Sequence, residues 1–357
     1  MVFEPPKQIR NNSNQYNVQT KQYSSESELC VYHIHPSKTG NNPAPLIVFI
    51  ESAIFLLPEA AIGFDQAAEK LSQSGIHVVR LQYRLTTKEN NLQFPNHLLD
   101  CMKGYIDIIT KSDLNYSSIH LAGHSVGGLM SLLIGFSSTK YLKYLNTNYN
   151  TSDLLSLFKK INGIISIAGV FDLAAIAKYN AFFNNNVATM AFQVEGCRIS
   201  KVVIHSPESE DISRVFVPPP IKSEEISRES TNTMKPDQVE SESESITRMG
   251  ICHPRMGICS TLKEYSATSI SLKDINEMNY SNLPKVLLIG SKEDTAAPVE
   301  QLLQYNQHLS SLNVKDVTLF CDNFGNHNQL FLNSSVIQKM ANFIHSSNYK
   351  NLYMAKL

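Results

Sequence analysis

The chain has 357 residues, 42% of them hydrophobic and including 16 Phe and 15 Tyr, enough for a sizeable core in one large domain or two smaller ones. With 31 Lys and Arg against 32 Asp and Glu, the formal charge of −1 gives no electrostatic footing for nucleic acid or an anionic membrane surface. The partners left are small molecules, neutral or of mixed charge.

The first residues, MVFEPPKQIRNNSNQYNVQT, show no basic segment followed by an apolar run, so no secretory signal is read there. No apolar run approaches the ~20 residues of a membrane span. Six cysteines (Cys30, Cys101, Cys197, Cys252, Cys259 and Cys321) are scattered along the chain. Without an export signal they predict reduced thiols and a cytoplasmic protein.

Residues 1–15 are polar, Asn-rich and Pro-marked, a mobile tail. Tyr16 to His35 holds two extended segments, read as a leading antiparallel pair. Pro45 to Ile50 is continuously apolar, as a strand buried on both faces must be. A loop from Glu51 to Leu57 leads to a predicted helix over Pro58 to Ser74, then a strand over Ile76 to Tyr83. Residues 96–112 carry apolar residues at helical spacing. Tyr141 to Leu157 reads as connecting material, Ile161 to Ala168 as a buried strand, and a mixed helical stretch runs on to Glu195.

From Ser206 to Thr247 proline, serine and glutamate dominate, and apolar residues are too sparse to offset the cost of ordering the backbone. A local repeat follows, Arg248 to Cys252 and Arg255 to Cys259, with His253 and Pro254 between. It lacks the short Cys-x2-4-Cys hook of a structural zinc site. Residues 206–259 are therefore a disordered, low-complexity insertion in a single domain made of 16–205 and 260–350. Strands at Pro284 to Ile289 and Val317 to Cys321, and helices over Val299 to Leu312 and Ser335 to Asn348, complete it. Alternating strands and helices predict an α/β fold of about eight mostly parallel strands with helices on both faces.

The chemistry centres on Ser117 to Gly135, SSIHLAGHSVGGLMSLLIG, which reads as strand, tight turn and helix. A serine on such a turn has its hydroxyl raised above the sheet edge. Gly123 and Gly127 are required because a side chain at either would strike the neighbouring strand or helix. The amide of Val126 opens the helix facing the place where an oxyanion would form. A serine nucleophile needs an imidazole base, and the base needs a carboxylate to fix its tautomer. Asp294 lies on the loop after the 284–289 strand, with Glu293 beside it and Asp172 as a second alternative acid. His327 lies on the glycine-containing loop after the 317–321 strand, while His124 flanks the serine in a position expected to aim it away. His33, His35, His77, His120 and His345 fall in predicted strands or a helix, where core or surface roles are expected. Nothing suggests a metal or a cofactor.

GHSVGG, the turn Asp294 to Pro298 and Gly325-Asn326-His327-Asn328 resemble the α/β-hydrolase superfamily, whose chain order of nucleophile, acid and base is that of Ser125, Asp294 and His327. Within it the chain is most similar to fungal-type kynurenine formamidases, through Ile47 to Ile50 with the following loop, Gln82 to Leu85, Ala168 to Leu173 and Gly325 to Asn328. The resemblance implies cofactor-free hydrolysis of a small ester or amide through an acyl-enzyme, N-formylkynurenine being the most specific substrate. In that family the loop after the third strand reads His-Gly-Gly-x-Trp and a glycine amide completes the oxyanion hole. Here it reads Glu51-Ser52-Ala53-Ile54-Phe55, so Ser52 or Ala53 must supply that amide, and a carboxylate at Glu51 would repel an oxyanion unless it is paired or turned out. The alternative is an α/β-hydrolase fold kept as a catalytically weak or inactive binding or scaffold protein.

Overall fold

Residues 44–50, APLIVFI, are apolar at every position, and a strand of that composition is stable only with both faces covered. The computed structural model describes residues 18–40, 43–56, 64–145, 147–180, 183–192 and 261–354, and it buries all seven of those residues. Strands β1 (Gln19–Gln22), β2 (Val31–His35), β3 (Ala44–Ile50), β4 (His77–Leu81), β5 (Tyr116–His124), β6 (Ile161–Ile167), β7 (Lys285–Ser291) and β8 (Val317–Asp322) form one sheet. Its order is β1-β2-β4-β3-β5-β6-β7-β8. β2 runs antiparallel to β1 and β4, and the remaining neighbours are parallel.

The helices are α1 (Phe64–Gln73), α2 (Asn96–Lys111), α3 (Val126–Ser137), α4 (Thr139–Leu142), α5 (Thr151–Phe158), α6 (Leu173–Tyr179), α7 (Thr189–Phe192), α8 (Leu272–Met278), α9 (Val299–Ser311) and α10 (Ser334–Met354). Alternate residues of each strand feed opposite faces. Leu46, Val48 and Ile50 pack with Met102 of α2 and Leu129 of α3, whereas Ile47 and Phe49 pack with Leu71 of α1 and Met340 of α10.

Successive strands are added on one side of β3 as far as β4 and on the other from β5 onward, so the order reverses between β3 and β5. In open α/β sheets the crevice at the strands' carboxyl ends opens at such a reversal. The loop after β3 and the turn after β5 both lie there.

The connecting segment expected at Tyr141 to Leu157 is partly helical. Asn150 caps α5 by accepting a hydrogen bond from the Asp153 amide, and Leu154, Leu157 and Phe158 are buried, so a capped amphipathic turn outweighs the Asn- and Tyr-rich composition. The predicted helix from Pro58 is described only from Phe64. The tail 1–15 and the insertion 206–259, with its repeat, lie outside the described residues.

Candidate active site

Ser125 alone joins β5 to α3, with φ 56° and ψ −121°, in the region L-residues rarely occupy. The bare neighbours are a steric necessity. A Cβ at Gly123 would lie 2.1 Å from the Gly127 carbonyl carbon, and one at Gly127 would lie 2.3 Å from the Ile50 carbonyl oxygen. The turn is locked to β6 by the Ser125 amide, which donates to the Ile167 carbonyl at 2.9 Å. Val126 is buried at the start of α3, where its amide has no carbonyl one turn back to bond.

Asp294 and His327 meet. Asp294 Oδ2 is 2.8 Å from His327 Nδ1, while Oδ1 accepts the amides of Ala296 at 2.8 Å and Ala297 at 2.9 Å. Burial alone would push the Asp294 carboxyl up, but the attraction of His327 and these hydrogen bonds together outweigh it and hold it below its ordinary value. Asp294 thus stays ionised and orients the His327 ring through Nδ1. No hydrogen bond joins His327 to the Ser125 hydroxyl among the described residues.

The two rival acids have structural work. Asp172 caps α6, accepting from the Ala175 amide at 2.9 Å. Glu293 Oε2 accepts the Gly325 amide at 2.8 Å, bracing the loop that carries His327. His124 corrects the expectation that it points away from the site. Its Nε2–H donates to the His327 carbonyl at 2.8 Å and the two rings lie 4.6 Å apart, so the residue next to the serine ties the His327 loop to the elbow. Burial, reinforced by repulsion from His327, pulls the His124 pKa down to about 3 and keeps it neutral. A histidine inside the elbow motif was the available signal; a contact to a residue 203 positions away was not readable. Among the other histidines, His33 and His35 lie on β2, His77 on β4, His120 on β5 and His345 on α10.

Two features mark the Glu51 to Phe55 loop. Ala53 adopts φ 111°, followed by Ile54 at 46° and Phe55 at 63°, so its side chain has not kept the backbone out of a glycine-type conformation. Glu51 is buried and paired: Oε1 contacts Arg80 Nη1, and Oε2 accepts from Gln82 Nε2 at 3.2 Å. Burial pushes the Glu51 carboxyl up and the Arg80 guanidinium opposes that rise. The loop's carbonyls are also engaged, Ser52 by the Tyr83 hydroxyl at 3.3 Å, Ala53 by the Leu56 amide at 2.9 Å and Phe55 by the Thr86 amide at 2.7 Å. The amides of Ser52 and Ala53 meet no acceptor among the described residues.

Among the described residues no group of His, Cys, Asp or Glu is placed to hold a metal ion, and no helix is long and apolar enough to cross a membrane.

The comparisons with known proteins bear on fold first. The chain superposes on Esterase B from Lactobacillus Rhamnosis with a TM-score of 0.61 at 10% identity, covering 95% of this chain and 89% of that one. A truncated carbohydrate esterase from gut microbiota gives 0.60 at 13% identity, with 93% and 96% covered. The chain has the α/β-hydrolase fold. A bifunctional GH43-CE protein from Bacteroides eggerthii gives 0.58 at 15% identity, covering 92% of this chain, which spans only 37% of that longer protein. The BD-FAE family model matches residues 32–202, just under half of the chain. No curated protein matches the sequence.

Proposed function

We propose that the protein is a serine hydrolase of small esters or amides. Ser125 attacks the carbonyl carbon as His327 Nε2 takes its proton, and Asp294 stabilises the imidazolium formed. The oxyanion is held by the amide of Val126 with that of Ser52 or Ala53. Collapse of the tetrahedral intermediate breaks the bond to the alcohol or amine, which leaves with the His327 proton. Water then attacks the acyl-Ser125 by the same route, and the carboxylic acid is released.

The observation that supports this assignment is the 2.8 Å Asp294–His327 contact, on a loop that His124 ties to the strained Ser125 turn. The substrate class follows from the company the fold keeps. Two of the similar structures are named as an esterase and a carbohydrate esterase, so short acyl esters come first and N-formylkynurenine stands as the amide to compare.

Labelling with a fluorophosphonate probe tests the chemistry. Wild type is expected to label, Ser125→Ala and His327→Ala to lose labelling while keeping the wild-type circular dichroism, and turnover of p-nitrophenyl acetate to fall ~10⁴-fold or more in both. A folded wild type that neither labels nor turns over ester overturns the assignment and leaves the fold as a binding module.

A further inference from the structure

Glu51 and Arg80 form a buried ion pair directly beneath the loop that follows β3, and the half-exposed Asp65 adjoins it from α1. Arg80 lies on β4, opposite Phe49 of β3 and His33 of β2, with its side chain only 8% exposed. It contacts Glu51 Oε1 through Nη1 and approaches Asp65 Oδ1 through Nε at 3.1 Å; the same Asp65 oxygen lies 3.3 Å from His35 Nε2. Ionised groups taken this far from water cost several kcal/mol each, and apolar residues of similar volume are often as stable or more so.

The pair sits where the loop has the most to lose. Glu51 is the first residue after β3, and its carbonyl oxygen would be 3.1 Å from a Cβ at Gly127, so its backbone abuts the start of the nucleophile helix. Two residues on, Ala53 is held at φ 111° with no glycine to make that conformation free. A strained backbone persists only where its surroundings over-determine it. Here those surroundings include the side chain of Glu51, fixed at both oxygens by Arg80 and Gln82, and the Tyr83 hydroxyl on the Ser52 carbonyl, beside the amides of Leu56 and Thr86 on the loop's later carbonyls.

We propose that the Arg80–Glu51 pair is the positioning device of the oxyanion loop, holding the Ser52 and Ala53 amides against the nucleophile turn by buried charge instead of glycine. The role of those amides rests on Ser125 being the nucleophile; the holding of the loop does not, and the test separates the two.

The double variant Glu51→Leu/Arg80→Met removes both charges and keeps the volume, alongside the single variant Glu51→Gln. Amide hydrogen exchange of Leu56 and Thr86, whose N–H groups bond the Ala53 and Phe55 carbonyls, reports on the loop, and p-nitrophenyl acetate kinetics report on catalysis. In the double variant the expected result is an unchanged melting temperature to within a few degrees, loop exchange at least about ten-fold faster, and kcat down by ~10²-fold with KM within about two-fold, as for loss of one oxyanion donor. Unchanged loop exchange overturns the proposal, as does faster exchange throughout the sheet, which would make the pair a brace of the fold. If the wild type hydrolyses no ester, the serine-hydrolase assignment fails, and the exchange comparison still decides whether the pair holds the loop.

Discussion

The turn after β5 and the loop after β3 sit side by side at the sheet's order reversal, and they are built by opposite means. The turn is made by absence: Gly123 and Gly127 have no side chains because neither place has room for one. Its neighbour His124 is a neutral buried imidazole. The loop has no glycine from Glu51 to Leu56, yet passes through positive φ at Ala53, Ile54 and Phe55 and lies over a buried ion pair. Steric exclusion needs only local sequence, whereas charge must be assembled from residues far apart in the chain.

The largest effect is expected where the two meet. Gly127→Ala places a methyl group 2.3 Å from the Ile50 carbonyl oxygen, an atom of the β3 backbone that cannot swing aside as a side-chain tip would. The variant should lose about 3 kcal/mol or more of unfolding free energy in urea. Any folded remainder should label with fluorophosphonate at under a hundredth of the wild-type rate, because the loop and the turn are driven apart together. A stability loss below about 1 kcal/mol would mean that the turn is not sterically forced.

His124 gives a smaller and more particular effect. Its folded pKa of about 3 lies below the ~6.5 of an exposed histidine, so between those values only the unfolded chain takes up the proton. Its contribution is therefore fully present above pH 6.5 and is lost as pH falls toward 3. His124→Gln keeps an N–H donor and removes the titration. The slope of unfolding free energy against pH should flatten by up to about 1.4 kcal/mol per pH unit in that window, with kcat within about three-fold of wild type. His124→Phe flattens it equally but loses the bond to the His327 carbonyl, and kcat should drop about ten-fold. Equal kcat for the two variants would show that the bond does nothing for the base.

The same contrast explains what the sequence made legible. The elbow, the eight strands and the loops bearing Asp294 and His327 could be read because each rests on a short pattern: glycine spacing, an apolar run of strand length, a carboxylate or histidine just past a strand. Asp294, Glu293 and Asp172 looked alike in the sequence, since the helix cap made by Asp172 and the brace from Glu293 to Gly325 exist only once the chain has folded. Glu51 stood out as an unwelcome charge because its partner is 29 residues away on β4, and sequence proximity carries no sign of it. Helix α5 was hidden by composition, its cap and its three buried residues being outnumbered by Asn and Tyr.

The smallest expected effect sharpens the contrast most. Ala53→Gly makes the loop's backbone resemble the turn's, by giving glycine to a φ of 111°. Relief of strain there is worth roughly 1–3 kcal/mol. Against it stand the extra freedom of glycine in the unfolded chain, about 0.5–1 kcal/mol, and the loss of a methyl group buried in the larger core cluster, worth about 0.8 kcal/mol. The terms nearly cancel, so thermal unfolding should show a gain of under about 1 kcal/mol. If Glu51 and Arg80 already hold the amides in place, kcat on p-nitrophenyl acetate stays within about three-fold of wild type. A ten-fold rise would mean that the alanine holds the donors off their productive position, and that charge in this loop imitates glycine only in part.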